Sequence, residues 1–154
     1  MPAVVLSTLA LLLALTATLT AAPAAQAVGP DDYLSAAIKA TNGERTSRGL
    51  APLGSSNTCL ERFAVRQARK MADARQISHS TNFSAIGPRC GLRLWGENVA
   101  QALGSDQGRG VVGLWMDSAK HRANILKRGY RQVAMGAVQR HGSWWVVQVF
   151  GTSL

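Results

Sequence analysis

Between Pro30 and Ser47 the apolar positions recur at helical spacing. Leu34, Ala37, Ile38 and Thr41 fall on one stripe, which predicts a helix capped by Asp31 or Asp32 and ended by Gly49. The segment "GLAPLGSSN" interrupts the period and reads as a loop. A stronger helical pattern opens at Thr58-Cys59-Leu60-Glu61, which has the form of a capping box. On it Leu60, Phe63, Ala64, Gln67, Ala68 and Met71 share one face, while Arg62, Arg66, Arg69 and Asp73 share the opposite one, so the basic face is expected to meet solvent. Residues 77–94 show no period and carry Gly87-Pro88 and Gly91 as breakers, which predicts irregular chain. Val111 to Met116 predicts a third helix. Ser118 is placed to cap a further turn, "AKHRANIL", its hydroxyl accepting from N–H groups near His121. From Tyr130 onward the period becomes two: "RQVAMGAVQ", a turn at Arg140-His141-Gly142-Ser143, then "WWVVQVFG" predict a β-hairpin with Trp144 and Trp145 on opposite faces. No segment repeats, and the pattern describes one mixed domain of helices packed on an antiparallel sheet.

Residues 3–22 carry no charge and run into Ala25-Gln26-Ala27, a small-x-small site of the kind signal peptidases cut. Residues 1–27 are therefore expected to be a secretory signal and residues 28–154 the exported domain. A retained membrane anchor is the rival reading, disfavoured by the lack of basic residues before the apolar run. A chain of the exported length buries roughly two-thirds of its surface on folding, enough for one core. Its two cysteines, Cys59 and Cys90, both lie in the exported part, where an oxidising compartment favours a bridge between them. The formal charge is +9, from 17 Lys and Arg against 8 Asp and Glu. Without a recognition helix or an RNA-binding motif, and with an export signal, nucleic acid is not the expected partner. An anionic envelope component or lipid surface fits the excess, as does a purely solubilising role.

Candidate chemistry gathers on His79 in "ISHS", Glu97 in "LWGENVA" and His121 in "SAKHRANIL". Glu97 is the one acid between Asp73 and Asp106 in a chain poor in acids. Spacing gives no zinc signature of the H-x-x-x-H kind, and single histidines more often serve as hydrogen-bonded structural residues than as ligands. Ser118, three residues before His121, has the spacing of a nucleophile beside a base, but Ser at a helix start is ordinarily a cap. His141 falls in the predicted turn and is expected to be exposed. The four tryptophans, Trp95, Trp115, Trp144 and Trp145, are groove walls or core.

The segments "NGERTSRGLAPL", "ISHS", "CG" followed by "WGENVA", "VVGLWMDSAKHRANIL" and "WWVVQVFG" occur in that order. Together they resemble the bacterial branch of the CAP superfamily, the SCP domain shared by cysteine-rich secretory proteins, antigen 5 and plant pathogenesis-related proteins. The resemblance spans about residues 36–151. It implies an α+β fold, a three-layer α-β-α sandwich with a central antiparallel sheet, and a groove lined by a His, Glu, Glu, His tetrad. Carried over by position, the tetrad is His79, Glu97, Ser118 and His121, with Ser118 standing where many eukaryotic members have the second Glu. His79, Glu97 and His121 would then offer zinc two imidazoles and a carboxylate, and the loss of a carboxylate disfavours calcium.

The expected function is that of a secreted, monomeric groove protein binding a small apolar or envelope-derived ligand, with a divalent metal such as zinc as the cofactor to test. Glu97 would then tie the imidazoles into the fold by charge-assisted hydrogen bonds. The alternatives are a metal-dependent hydrolase using Glu97 or a metal-bound water, and a structural or defence-related protein acting through its surface. The fold alone does not choose among them.

Overall fold

The computed structural model describes residues 28–55 and 58–154. The segment expected to be a secretory signal lies outside the described residues. The elements run α1 (Pro30–Thr46), β1 (Gly54–Ser55), α2 (Thr58–Ala74), α3 (Phe83–Cys90), β2 (Leu92–Leu103), α4 (Arg109–Asp117), α5 (Ala119–Ile125), β3 (Gln132–Arg140) and β4 (Ser143–Ser153).

The terminal hairpin forms as its period predicts. Arg140 pairs with Ser143 across a two-residue turn in which His141 and Gly142 both have positive φ, the combination that matches strand twist. β2 pairs antiparallel with β4 from Leu92 to Leu103, and β1 adds parallel to β3, giving the order β1-β3-β4-β2. The sheet is thus antiparallel in its three long strands and parallel only at the two-residue β1.

Alternation along β4 divides the core between two faces. Trp144, Val146 and Phe150 pack with Tyr33, Val111, Trp115 and Ile125 under α1, α4 and α5. Trp145, Val147 and Val149 pack with Leu60, Ala64, Ala68 and Met71 of α2 and Ile86 of α3. Helices therefore cover both faces, and the molecule is the expected three-layer α-β-α sandwich. Cys59 and Cys90 form a disulfide that joins the first turn of α2 to the last of α3.

Several local expectations are corrected. The N-cap of α1 is Gly29, with Pro30 opening the helix and Asp31 and Asp32 in its first turn, where their charges favour the positive end of the helix. Its most buried stripe is Tyr33, Ala37, Thr41 and Arg45, with Leu34 and Ile38 at its margin. Residues 83–90 are helical despite Gly87-Pro88. Gly87 is there because a Cβ would sit 2.2 Å from the Trp95 ring, and the Ser84 carbonyl that Pro88 leaves without a helical donor belongs to an exposed residue. Ser118 occupies the N-cap of α5 in extended backbone, but its side chain makes no capping bond.

Candidate functional site

β2 is an edge strand, and the alternation of its pairing turns the backbone groups of residues 95, 97 and 99 away from β4. Side chains from the α4–α5 layer reach around to this edge. Trp115 Nε1 donates to the Val99 carbonyl at 3.2 Å, and Asn124 Nδ2 donates to the Glu97 carbonyl at 3.2 Å. From the opposite layer comes the turn between α2 and α3, carrying His79 and Ser80. The two approaches leave a cavity of about 460 Å³ over the edge at Trp95–Glu97. Phe83, Trp95 and Tyr130 wall it with rings, and His79, Asn124 and Lys127 supply polar groups. Gly96 lies beneath Tyr130, whose hydroxyl would be 2.1 Å from any Cβ there.

Glu97 lies at the base of this groove with its side chain 1% exposed. Its Oε1 accepts from the Ser80 N–H at 2.9 Å and meets His79 Nδ1 at 2.8 Å, while Ser80 Oγ donates to Oε2. A carboxylate has about four acceptor sites, and three are engaged here. With the carboxylate accepting, Nδ1 of His79 carries the shared proton, and Nε2 is the ring's other nitrogen, on a side chain 60% exposed. Glu97 thus sets the orientation and tautomer of the one imidazole that the groove presents.

A chain of buried amides fixes the opposite wall. Thr41 Oγ1 accepts from Gln148 Nε2 at 2.9 Å, and Gln148 Oε1 accepts from Asn98 Nδ2 at 3.0 Å. Asn98 Nδ2 also reaches the His121 carbonyl at 3.2 Å, and Asn124 Nδ2 reaches Asn98 Oδ1 at 2.9 Å. Asn98 and Gln148 are fully buried, where an unbonded amide would be costly, so each link holds its neighbour in one geometry. Arg45, also buried, bonds the Ile125 carbonyl at 2.7 Å and the Lys127 carbonyl at 3.0 Å, which ties down the chain leaving α5. Burial, and then the proximity of Arg131, hold this guanidinium below its ordinary pKa.

Of the expected tetrad, His79 and Glu97 are in direct contact. Ser118 and His121 follow one another into α5 on the other side of the edge, both half-buried. Burial, and then the neighbouring His79, lower the pKa of His121. The two imidazoles are therefore electrostatic neighbours that disfavour a proton on His121. Among the described residues no group of three His, Cys, Asp or Glu side chains is arranged to hold a metal ion. The reason is visible in the bonds of Glu97: its oxygens face Ser80 and His79 Nδ1, so the expected His79, Glu97 and His121 set is two imidazoles with a carboxylate behind one of them. A resident three-ligand zinc shell does not fit this donor arrangement.

Ser80, Asn98, Asn124 and Arg45 were not singled out by sequence reasoning, although all four lie inside the motifs that carried the resemblance. Asp106 was missed too. Its carboxylate accepts from Gly110 N–H and Val111 N–H, each at 3.0 Å, and from Tyr33 Oη at 2.7 Å, so it caps α4 and ties it to α1. An acid shortly before a predicted helix was the available signal.

A model of the "Cysteine-rich secretory protein family" matches residues 38–150. The uncharacterized protein YkwD of Bacillus subtilis (strain 168) is 30% identical over 144 residues, covering 88% of this chain and 52% of that protein. An extracellular protein containing an SCP domain from Bacillus anthracis str. Ames superposes with a TM-score of 0.69 at 23% identity, over 80% of this chain and 41% of that one. An outer surface protein from Borrelia burgdorferi gives a TM-score of 0.69 at 19% identity, over 79% of this chain and 93% of that one. The chain thus spans about half the length of the Bacillus subtilis relative.

Proposed function

The chain belongs to the cysteine-rich secretory protein, or CAP, family, and from that premise we propose that it is an exported binding protein. The groove over the β2 edge would take a small ligand with an apolar body, and Glu97 would act as the support of that groove. The observation that carries the reading is the state of the Glu97 carboxylate, buried and already accepting from Ser80 and His79. A general base needs a free lone pair aimed at the proton it removes, and three of the about four acceptor sites of this carboxylate are already engaged by Ser80 and His79. The rings of Phe83, Trp95 and Tyr130 offer apolar contact, while His79 Nε2, Asn124 and Lys127 supply a few orienting polar groups, the usual make-up of a small-molecule site. Export is supported by the disulfide and by the extracellular and outer-surface proteins that share the fold. Among the described residues no helix is long and apolar enough to cross a membrane.

Glu97→Gln and Phe83→Ala separate the two roles. Glu97→Gln puts an N–H₂ donor against groups that donate, and is expected to cost about 1–3 kcal/mol of stability with little change in affinity for an apolar fluorescent probe on the folded protein. Phe83→Ala should weaken that probe several-fold with a smaller effect on the melt, since it removes a wall but keeps the carbonyl that accepts from Trp95 Nε1 at 3.0 Å. The measurements are thermal melts and probe titrations of both variants, beside a hydrolysis screen over peptides, esters and cell-wall fragments. A Glu97→Gln protein that melts like wild type but has lost a robust, metal-dependent hydrolysis would replace binding with catalysis.

A further inference from the structure

On the α2 side of Ser80 lies a second cavity, of about 320 Å³, separate from the groove. Arg66 and Lys70 enter its lining from α2, one turn apart, and Arg89 enters from α3. No Asp or Glu lines it, and among the described residues none of these three cations takes part in an ion pair. Thr81 and Asn82 add neutral polar groups at the start of α3, where Asn82 is the N-cap but makes no side-chain capping bond. Three cations thus border one concave surface with no acid among them, an arrangement whose charge suits an anion.

We propose that this pocket binds the phosphate group of a phosphoester ligand. Guanidinium forks match phosphate oxygens two at a time, and a lysine adds a compact third charge. Part of the wall is held in place by its own contacts. The Arg66 guanidinium lies 4.7 Å over the Phe63 ring, which also lines the cavity. Gln67, in its floor, donates to the Ser78 carbonyl at 2.6 Å. Arg89 is the neighbour of Cys90, whose bridge to Cys59 holds α3 against α2. Arg62 and Arg69 stand on the same helix but outside the lining, so the pocket is more than the general basic face of α2. A phosphoester can arrive on a soluble molecule or as a lipid headgroup, and the test distinguishes the two.

The probe is glycerol 3-phosphate, titrated at fixed ionic strength into the isotope-labelled protein and followed at the Ser80, Thr81 and Asn82 amides by NMR. Saturable shifts are expected in wild type, with affinity at least about tenfold weaker in Arg66→Gln/Arg89→Gln. Arg62→Gln/Arg69→Gln removes equal charge outside the pocket and should stay within about twofold. Lys70→Gln, a single exposed change, repeats the test should the first double variant fold poorly. A second arm measures binding to phosphatidylcholine vesicles with and without phosphatidic acid. Vesicle binding lost only in the pocket variants, with no response to the soluble probe, would support the site and assign its phosphate to lipid. Shifts that never saturate, or equal losses in the two double variants, would reduce the pocket to surface electrostatics and overturn the proposal.

Discussion

The Glu97 carboxylate accepts from Ser80 and meets His79 Nδ1, and the surroundings of His121 shape its chemistry in turn. Its pKa is lowered in the folded protein, by burial first and by His79 second. The folded chain therefore refuses a proton that the unfolded chain accepts once the pH falls below about 6.5. Above that value both states are neutral at this ring and the contribution is intact; below it the unfolded state binds more protons and stability is lost as pH falls through the folded pKa. Melts at pH 7.5 and 5.5 should show a smaller acid-induced drop in His121→Gln than in wild type, and an unchanged drop would place the acid sensitivity elsewhere. The partnership of His79 with Glu97 was legible as two motifs of one family. Ser80 was not, because a backbone N–H bonding a carboxylate 17 residues away depends on how a turn docks, and nothing in a Ser side chain announces it.

The elements differ in how plainly they were written. α2 has one apolar face against one layer and shows its period, and the hairpin is marked by its tight turn and by the apolar run of β4, which is buried from Trp144 to Thr152. β2 shows no period. From Gly96 to Ala100 every residue is buried, because helices cover both faces, and period two disappears when both sides are dry. α3 was hidden by Gly87-Pro88, whose glycine makes room for a ring from the neighbouring strand. This short helix touches few other elements, and its attachment to α2 through Cys59–Cys90 matters accordingly, with a sequence separation of 31. On the chain-entropy model the bridge contributes about 3–4 kcal/mol. Cys59→Ser/Cys90→Ser should melt lower by an amount that reduction of wild type reproduces. A double variant that melts with wild type would show that packing alone holds α3.

At the scale of the molecule, the groove exists only because two layers meet around one strand, and metal affinity should reflect that origin. His79 comes from the α2–α3 turn and His121 from α5, with Glu97 behind the first. Zinc added at pH 7.5 is expected to act as a weak ligand of the native state through the two imidazoles, raising the melting temperature with its concentration. The rise should vanish in His79→Ala/His121→Ala and shrink in acid, where protons compete with the metal. Magnesium and calcium, which prefer oxygen, should have little effect. A zinc response that survives the double substitution would move the metal away from His79 and His121. The edge that builds the groove also governs how these molecules meet one another. A bare strand edge is a template on which a second copy can add its own strand, and a chain of such additions becomes a fibre. Here the Trp115 and Asn124 side chains occupy the outward carbonyls of Val99 and Glu97, so a foreign strand would find two acceptors in the middle of this edge already taken. Asn124, a wall of the groove, and Trp115, a core residue behind it, thus also work against a crowded population of these molecules zipping together along the middle of β2.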